Sequence, residues 1–133
     1  MRIVIDTNVI ASAIFFGGRP KELIEHLVYR RVDEYASTEI VSEYRETIEE
    51  LSERYPNRPN IIPLANILFA MKMVEPTTHV DICRDPDDNK FIDCAIDGRC
   101  VYVVSGDKDL LSLKKYGDIE IVTVSGFLTK YYP

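Results

Sequence analysis

Two short β-branched runs constrain this chain most: RIVI at residues 2–5 and VYVVS at 101–105. Runs without polar alternation read as strands buried on both faces, and such strands belong to parallel sheets covered by helices. The segments between and around them supply those helices. DTNVIASAIF places Val9, Ile10, Ala13 and Ile14 at helical spacing before Gly17, Gly18 and Pro20 break it. KELIEHLVYRR carries Leu23, Ile24, Leu27 and Val28 on one face, and EIVSEYRETIEELSERY is the longest helical pattern. IIPLANILFAMKMV predicts a helix starting near Pro63, and DNKFIDCAIDG one that ends at Gly98. Weaker strands are expected at Glu34–Ala36 and near Met73–Glu75, and a last strand at IEIVTV. DKDLLSLKKYG is a short helix or turn, and SGFLTKYY a closing helix capped by Ser125. Alternating strands and helices predict an α/β fold. It is a three-layer sandwich with a central, mainly parallel sheet flanked by helices, in a single domain over residues 1–133.

Sheets of this kind bind ligands at the carboxyl ends of their strands, so acids at strand ends matter most. Asp6 ends the first strand and Asp107 lies just beyond VYVVS. Either alone reads equally well as a helix N-cap. Two together, each closing a core strand, favour a site. In CRDPDDNKFIDCA, Asp88 precedes Phe91 and Ile92 by helical spacing and shares their inward face. Asp85 and Asp87 flank Pro86 and read as turn formers, with an outer contact to metal-bound water as the lesser alternative. Asp93 and Asp97 fall with Asn89 on another face, which reads as solvated, with Lys90 available to pair with Asp93. On the long helix, Glu43 borders the apolar face, but periodicity barely separates it from Glu46.

Converging carboxylates repel one another, and burial raises their pKa values further, so such a cluster calls for a cation. Carboxylates without histidine or thiolate suit the hard ions Mg²⁺ or Mn²⁺. The three cysteines form no CxxC pair and the histidines number two, which disfavours a zinc site. Cys94 and Cys100 read as buried inert thiols, while the state of Cys83 stays open. A net charge of −6 excludes broad adhesion to nucleic acid but not a nucleic-acid enzyme with a basic rim. Arg19, Lys21, Arg84, Lys90 and Lys108 are candidates for that rim, each with plain surface charge as the alternative. No apolar run reaches a membrane span and no signal-peptide pattern opens the chain, so a cytoplasmic location is expected.

In their order, IVIDTNVIASAIF, STEIVSEYRE, DDNKFIDCAIDG and VVSGDKDLL resemble the PIN-domain ribonucleases, of the kind found in VapC-type toxins of toxin–antitoxin pairs. These stretches span residues 2 to about 112. The resemblance implies a metal-dependent endoribonuclease whose four acids fall on Asp6, Glu43, Asp88 and Asp107, and it selects Glu43 over Glu46. It also implies supporting roles for Asn8 and Ser105, where the family more often has threonine at the second position. Asp109 matches an auxiliary acid, and Asp93 an acid of the most similar subgroup. It further implies an RNA substrate, Mg²⁺ or Mn²⁺, and a small antitoxin partner. Ile61, Leu64, Ile67, Leu68, Phe69 and Met71 exceed what one core face needs and suggest a homodimer. Two other readings stay open. One is a receiver-like or phosphatase-like phosphoryl-transfer domain, against which Asn8 counts, since a phosphatase would want an aspartate there. The other is a non-catalytic module of the same fold.

Overall fold

The structure is a computed structural model that describes residues 1–133. Its elements run in the expected alternation: β1 (Arg2–Ile5), α1 (Thr7–Phe15), α2 (Gly18–Val28), β2 (Asp33–Ala36), α3 (Thr38–Arg54), α4 (Leu64–Ala70), β3 (Lys72–Met73), α5 (Asn89–Asp97), β4 (Tyr102–Val104), α6 (Lys108–Leu113), β5 (Lys115–Tyr116), β6 (Ile119–Val122) and α7 (Val124–Tyr131). The strands form one six-stranded sheet in the order β3-β2-β1-β4-β6-β5. All pairs are parallel except β5 with β6. This is the three-layer α/β sandwich with a mainly parallel sheet that the alternation predicts.

The reason lies in burial. Ile3, Val4, Ile5, Val103 and Val104 are wholly buried at the sheet centre, covered from both sides. Val9, Ile10, Ala13 and Ile14 of α1 and Phe91, Ile92 and Ala95 of α5 complete the core. Burying one such aliphatic side chain is worth about 1.5–3 kcal/mol. Strand order also positions a crevice. β1 has β2 on one side and β4 on the other, so the chain departs from β1 in opposite directions. Loops leaving such a switch point diverge and leave room between them.

Several boundaries differ from the sequence reading. α7 is capped by Thr123, whose hydroxyl accepts from Gly126 N at 3.0 Å, not by Ser125. Serine is the slightly better cap by type, so position in the fold, not residue preference, chose threonine. β3 is two residues long and begins at Lys72, one residue earlier than expected. α5 does end at Gly98, though not for its backbone angle: the left-handed residue is Arg99, at φ 54°. Glycine is needed because a Cβ there would lie 2.8 Å from Cys94 O and 3.3 Å from the Tyr35 ring. No helix is long and apolar enough to cross a membrane.

Candidate active site

Asp6 sits at the end of β1, at the N-cap position of α1, yet its side chain caps nothing. Its carboxylate instead accepts from the Ser105 hydroxyl at 2.7 Å. Ser105, just past β4, is fully buried and also accepts from Asp107 N at 2.9 Å. One hydroxyl therefore ties the ends of β1 and β4 together, across the switch point. Asp107 does cap α6, accepting from Leu110 N at 3.4 Å. Asp88 ends a single 3₁₀ turn, Pro86–Asp88, and points into the crevice from the start of α5. Glu43 reaches in from α3, half-buried, while Glu46 is exposed. Asp6, Glu43, Asp88 and Asp107 thus line one cleft of about 250 Å³, joined by Thr7, Asn8, Thr47 and Asp85.

The electrostatics follow from this crowding. Burial raises the Asp6 carboxyl, with Ser105 opposing and the charges of Glu43 and Asp107 adding to the rise. Asp88 is pushed up to about 7, first by burial, then by the charges of Asp107, Asp6 and Asp85. Asp107 also stands close enough to share a hydrogen bond with Asp88, which favours its protonated form. The donors are all oxygen, the chemistry of a hard divalent cation. In spacing the fit is incomplete. As the side chains stand, no three acids, histidines or cysteines form a group that could hold a metal ion. Glu43 is partly diverted, because it accepts from the Thr7 hydroxyl and pairs with Lys90 at 2.9 Å. Small rotations that bring the carboxylates together would have to accompany binding.

Lys90 departs furthest from its expected place. It neither rims the cleft nor pairs with Asp93. It is 8% exposed, held between Glu43 and the Asp87 carbonyl, which accepts from Nζ at 2.6 Å. A buried lysine needs such partners. Its place four residues before the apolar Cys94 was the signal that it lies on the inner side of α5.

Asp93 is buried, not solvated, and accepts from Val80 N at 2.7 Å. Asp97 accepts from Thr77 N at 2.7 Å and Thr78 N at 2.9 Å. Asn89 accepts from Ile82 N at 3.2 Å and Cys83 N at 3.0 Å. This face of α5 therefore fastens the irregular segment 77–83. Asp109 faces Arg84 at 3.8 Å and does not line the cleft. Lys21 pairs with Glu25, and Lys108 is exposed. Cys94 and Cys100 are buried, and burial lifts both thiols, Cys100 to about 12. Cys83 rises to about 11 through burial and neighbouring aspartates, which favours the neutral thiol over the nucleophilic thiolate.

Behind the cleft, Tyr44 carries a second polar arrangement. Its hydroxyl contacts both the Ile5 carbonyl and Glu34, the latter at 2.8 Å. Glu34 is fully buried and its Oε1 has no partner. A phenol has one proton and cannot donate to both acceptors. The conflict at the phenol is resolved when Glu34 is protonated at Oε2 and donates to Tyr44, which donates to Ile5, with Oε1 left unpartnered. Burial accordingly raises Glu34 to about 8.

Comparison with known proteins agrees with this architecture. The model of the PIN domain matches residues 2–109. An uncharacterized protein of Methanocaldococcus jannaschii, MJ1680, is 30% identical over 118 residues, covering 86% of this chain and 76% of the relative. No solved structure is a significant match. PIN domains are generally nucleases and typically use divalent metals, and it is to the PIN-domain family that this chain belongs.

Proposed function

We propose that this protein is a divalent-cation-dependent endoribonuclease that hydrolyses RNA phosphodiester bonds, and that it is the toxin of a toxin–antitoxin pair. One observation carries the catalytic reading. Asp6, Glu43, Asp88 and Asp107 come from four separate segments to one crevice at the sheet's switch point. Like charges gathered in this way cost stability unless something positive joins them.

Asp6, Asp88 and Asp107 would hold one or two ions of Mg²⁺ or Mn²⁺, with Glu43 joining directly or through water. When bound, the cation supplies positive charge against the scissile phosphate and makes water more acidic. The residues do the rest. Ser105 holds Asp6 and the Asp107 backbone in register, so two carboxylates move as a unit. Asn8 flanks the same crevice. Thr7 and Lys90 orient Glu43, which takes the proton of the attacking water. Because water and not the 2′-hydroxyl attacks, products carry 5′-phosphate and 3′-hydroxyl ends.

The toxin role, with a small antitoxin as partner and a cytoplasmic setting, rests on the resemblance of the ordered motifs to VapC-type toxins. Dimerisation through α4 is supported by Phe69, which is 85% exposed beside Leu64 and Leu68. Sedimentation of Phe69→Asp against the parent chain tests it: the parent should dimerise and the variant should not.

The test of catalysis is cleavage of an RNA oligonucleotide with Mg²⁺ or Mn²⁺ by the parent and by Asp6→Asn with Asp88→Asn. The double variant should lose at least about two orders of magnitude in rate, the scale seen when preorganised charge stabilisation is removed. Equal cleavage by both would end the assignment. Mn²⁺ binding without any cleavage by the parent would point to a non-catalytic module.

A further inference from the structure

Beside the acid cleft lies a second cavity of different character. It is about 430 Å³, within the roughly 300–1,000 Å³ of small-ligand sites. Asn8, Ser12, Arg19, Ser105, Thr123 and Ser125 line it, and no carboxylate does. Asn8 borders both cavities, and Ser105, in the wall of this one, donates to Asp6 in the other. The two spaces are therefore contiguous along the carboxyl edge of the sheet.

Three observations define what would bind there. Of the five cations expected at the rim, Lys90 is buried against Glu43, while Arg84 and Lys21 make exposed surface pairs with Asp109 and Glu25 and line no part of this cavity. Lys108 is exposed and does not line this cavity. Arg19 alone lines it without a salt bridge, on the first turn of α2. Second, Val124 N and Ser125 N, in the first turn of the eight-residue α7, have no backbone acceptor. Third, Asn8, Ser12 and Ser125 leave their side-chain donors and acceptors free for a ligand, whereas Ser105 and Thr123 in the same wall are already engaged with Asp6 and Gly126 N. Arginine, free N–H groups and a helix N-terminus favour phosphate, and idle hydroxyl and amide groups suit ribose.

We propose that this cavity is the subsite for the nucleotide next to the scissile bond. Arg19 and the first turn of α7 take its phosphate, and Asn8, Ser12 and Ser125 take its sugar. The assignment builds on the ribonuclease reading and gives that reading a substrate contact outside the acids. A strand laid across both cavities has one phosphate among the carboxylates and the next beside Arg19. This arrangement lets a chain of net charge −6 hold a polyanion locally without a broad basic surface.

The test uses adenosine 5′-monophosphate, titrated into the parent chain with EDTA present and followed by ¹H–¹⁵N NMR. Amide shifts should concentrate at Ser105, Gly106 and Val124–Gly126. Arg19→Ala should weaken binding about tenfold, as expected for a charge-assisted phosphate contact, with Arg19→Lys recovering part. Lys115→Ala, which removes a charge on the exposed β5 edge, controls for overall charge and should bind as the parent does. With RNA, Arg19→Ala should raise KM about tenfold, with the loss falling on KM more than on kcat. No binding by the parent, shifts mapping elsewhere, or equal affinity in Arg19→Ala would overturn the proposal. If the parent binds the nucleotide at these amides but cleaves no RNA, the ribonuclease reading fails and the pocket stands.

Discussion

Helix α5 carries aspartates in two settings, and the contrast explains how the same side chain is used in opposite ways. Asp97 faces segment 77–83, whose backbone N–H groups donate to it, and those donors lower its pKa. Asp88, at the head of the same helix, faces Asp6, Asp85 and Asp107, and is pushed up to about 7. The residue type is the same but the two stand at opposite ends of the helix, and the N-terminal end alone would favour a charged Asp88. The difference therefore lies in burial and in what the facing elements offer: N–H donors in one case, more carboxylates in the other. The first setting is complete within the chain. The second lacks positive charge, and a lack of that kind, built from four separate segments, marks a site. Glu34 shows a third solution. It is buried without a donor backbone or a cation, and it keeps its proton instead of its charge, with Oε1 still unpartnered.

The largest effect expected from breaking this contrast is on the cleft. Asp6→Asn with Asp88→Asn should abolish most cleavage yet raise the melting temperature in EDTA, because the repulsion it relieves is absent from the unfolded chain. A lower melting temperature in EDTA would mean that these acids are structural and that the two settings on α5 are not distinct.

Next in size is the pH dependence of stability. Glu34 has a folded pKa raised to about 8 from its ordinary 4.5, and Asp88 one raised to about 7 from 3.8. Above their ordinary values the unfolded chain sheds these protons while the folded chain keeps them. Stability of the metal-free protein should therefore fall as pH rises from about 4 to about 8. Glu34→Gln, whose amide can still donate to Tyr44, should remove its part of the slope and gain roughly a few kcal/mol at pH 8. Added Mg²⁺ should remove the cleft's part and leave Glu34's untouched. Denaturant melts across pH would show whether the two parts separate; a slope unchanged in Glu34→Gln would place a charged Glu34 in the fold.

The smallest effect concerns the fastening face. Asp93→Ala removes the acceptor of Val80 N and should cost about 0.5–1.5 kcal/mol, the net worth of a hydrogen bond whose donor water can still reach. Hydrogen exchange should quicken at Thr77–Cys83, with the acids of the cleft undisturbed. Loss of cleavage equal to that of the Asp6 and Asp88 variants would move Asp93 from fastening to catalysis.

Much of this was legible in the chain itself. RIVI and VYVVS are unalternated apolar runs, and their burial on both faces follows from composition alone. Asp6 and Asp107 follow from them, because an acid that closes a core strand must lie at the sheet edge. Asp88 followed from helical phase. Glu43 did not: only resemblance separated it from Glu46, since both border the apolar stripe of a long helix and its rotation depends on the partner it packs against. Lys90 and Asp93 were misplaced for a related reason. A polar residue on a helix reads as solvated unless the segment that covers it is known, and the segment covering Asp93 is an irregular stretch with no periodicity to reveal it.

By itself, then, the sequence determined the layers, the parallel sheet and which strand ends carry acids, because hydrophobic periodicity and strand polarity are local properties. Only the tertiary structure decided the partners: which acids meet one another, which meet N–H donors, and that Lys90 is buried against Glu43. Partnership joins residues as distant as Asp6 and Ser105, and no local pattern encodes a contact whose two halves lie 99 residues apart.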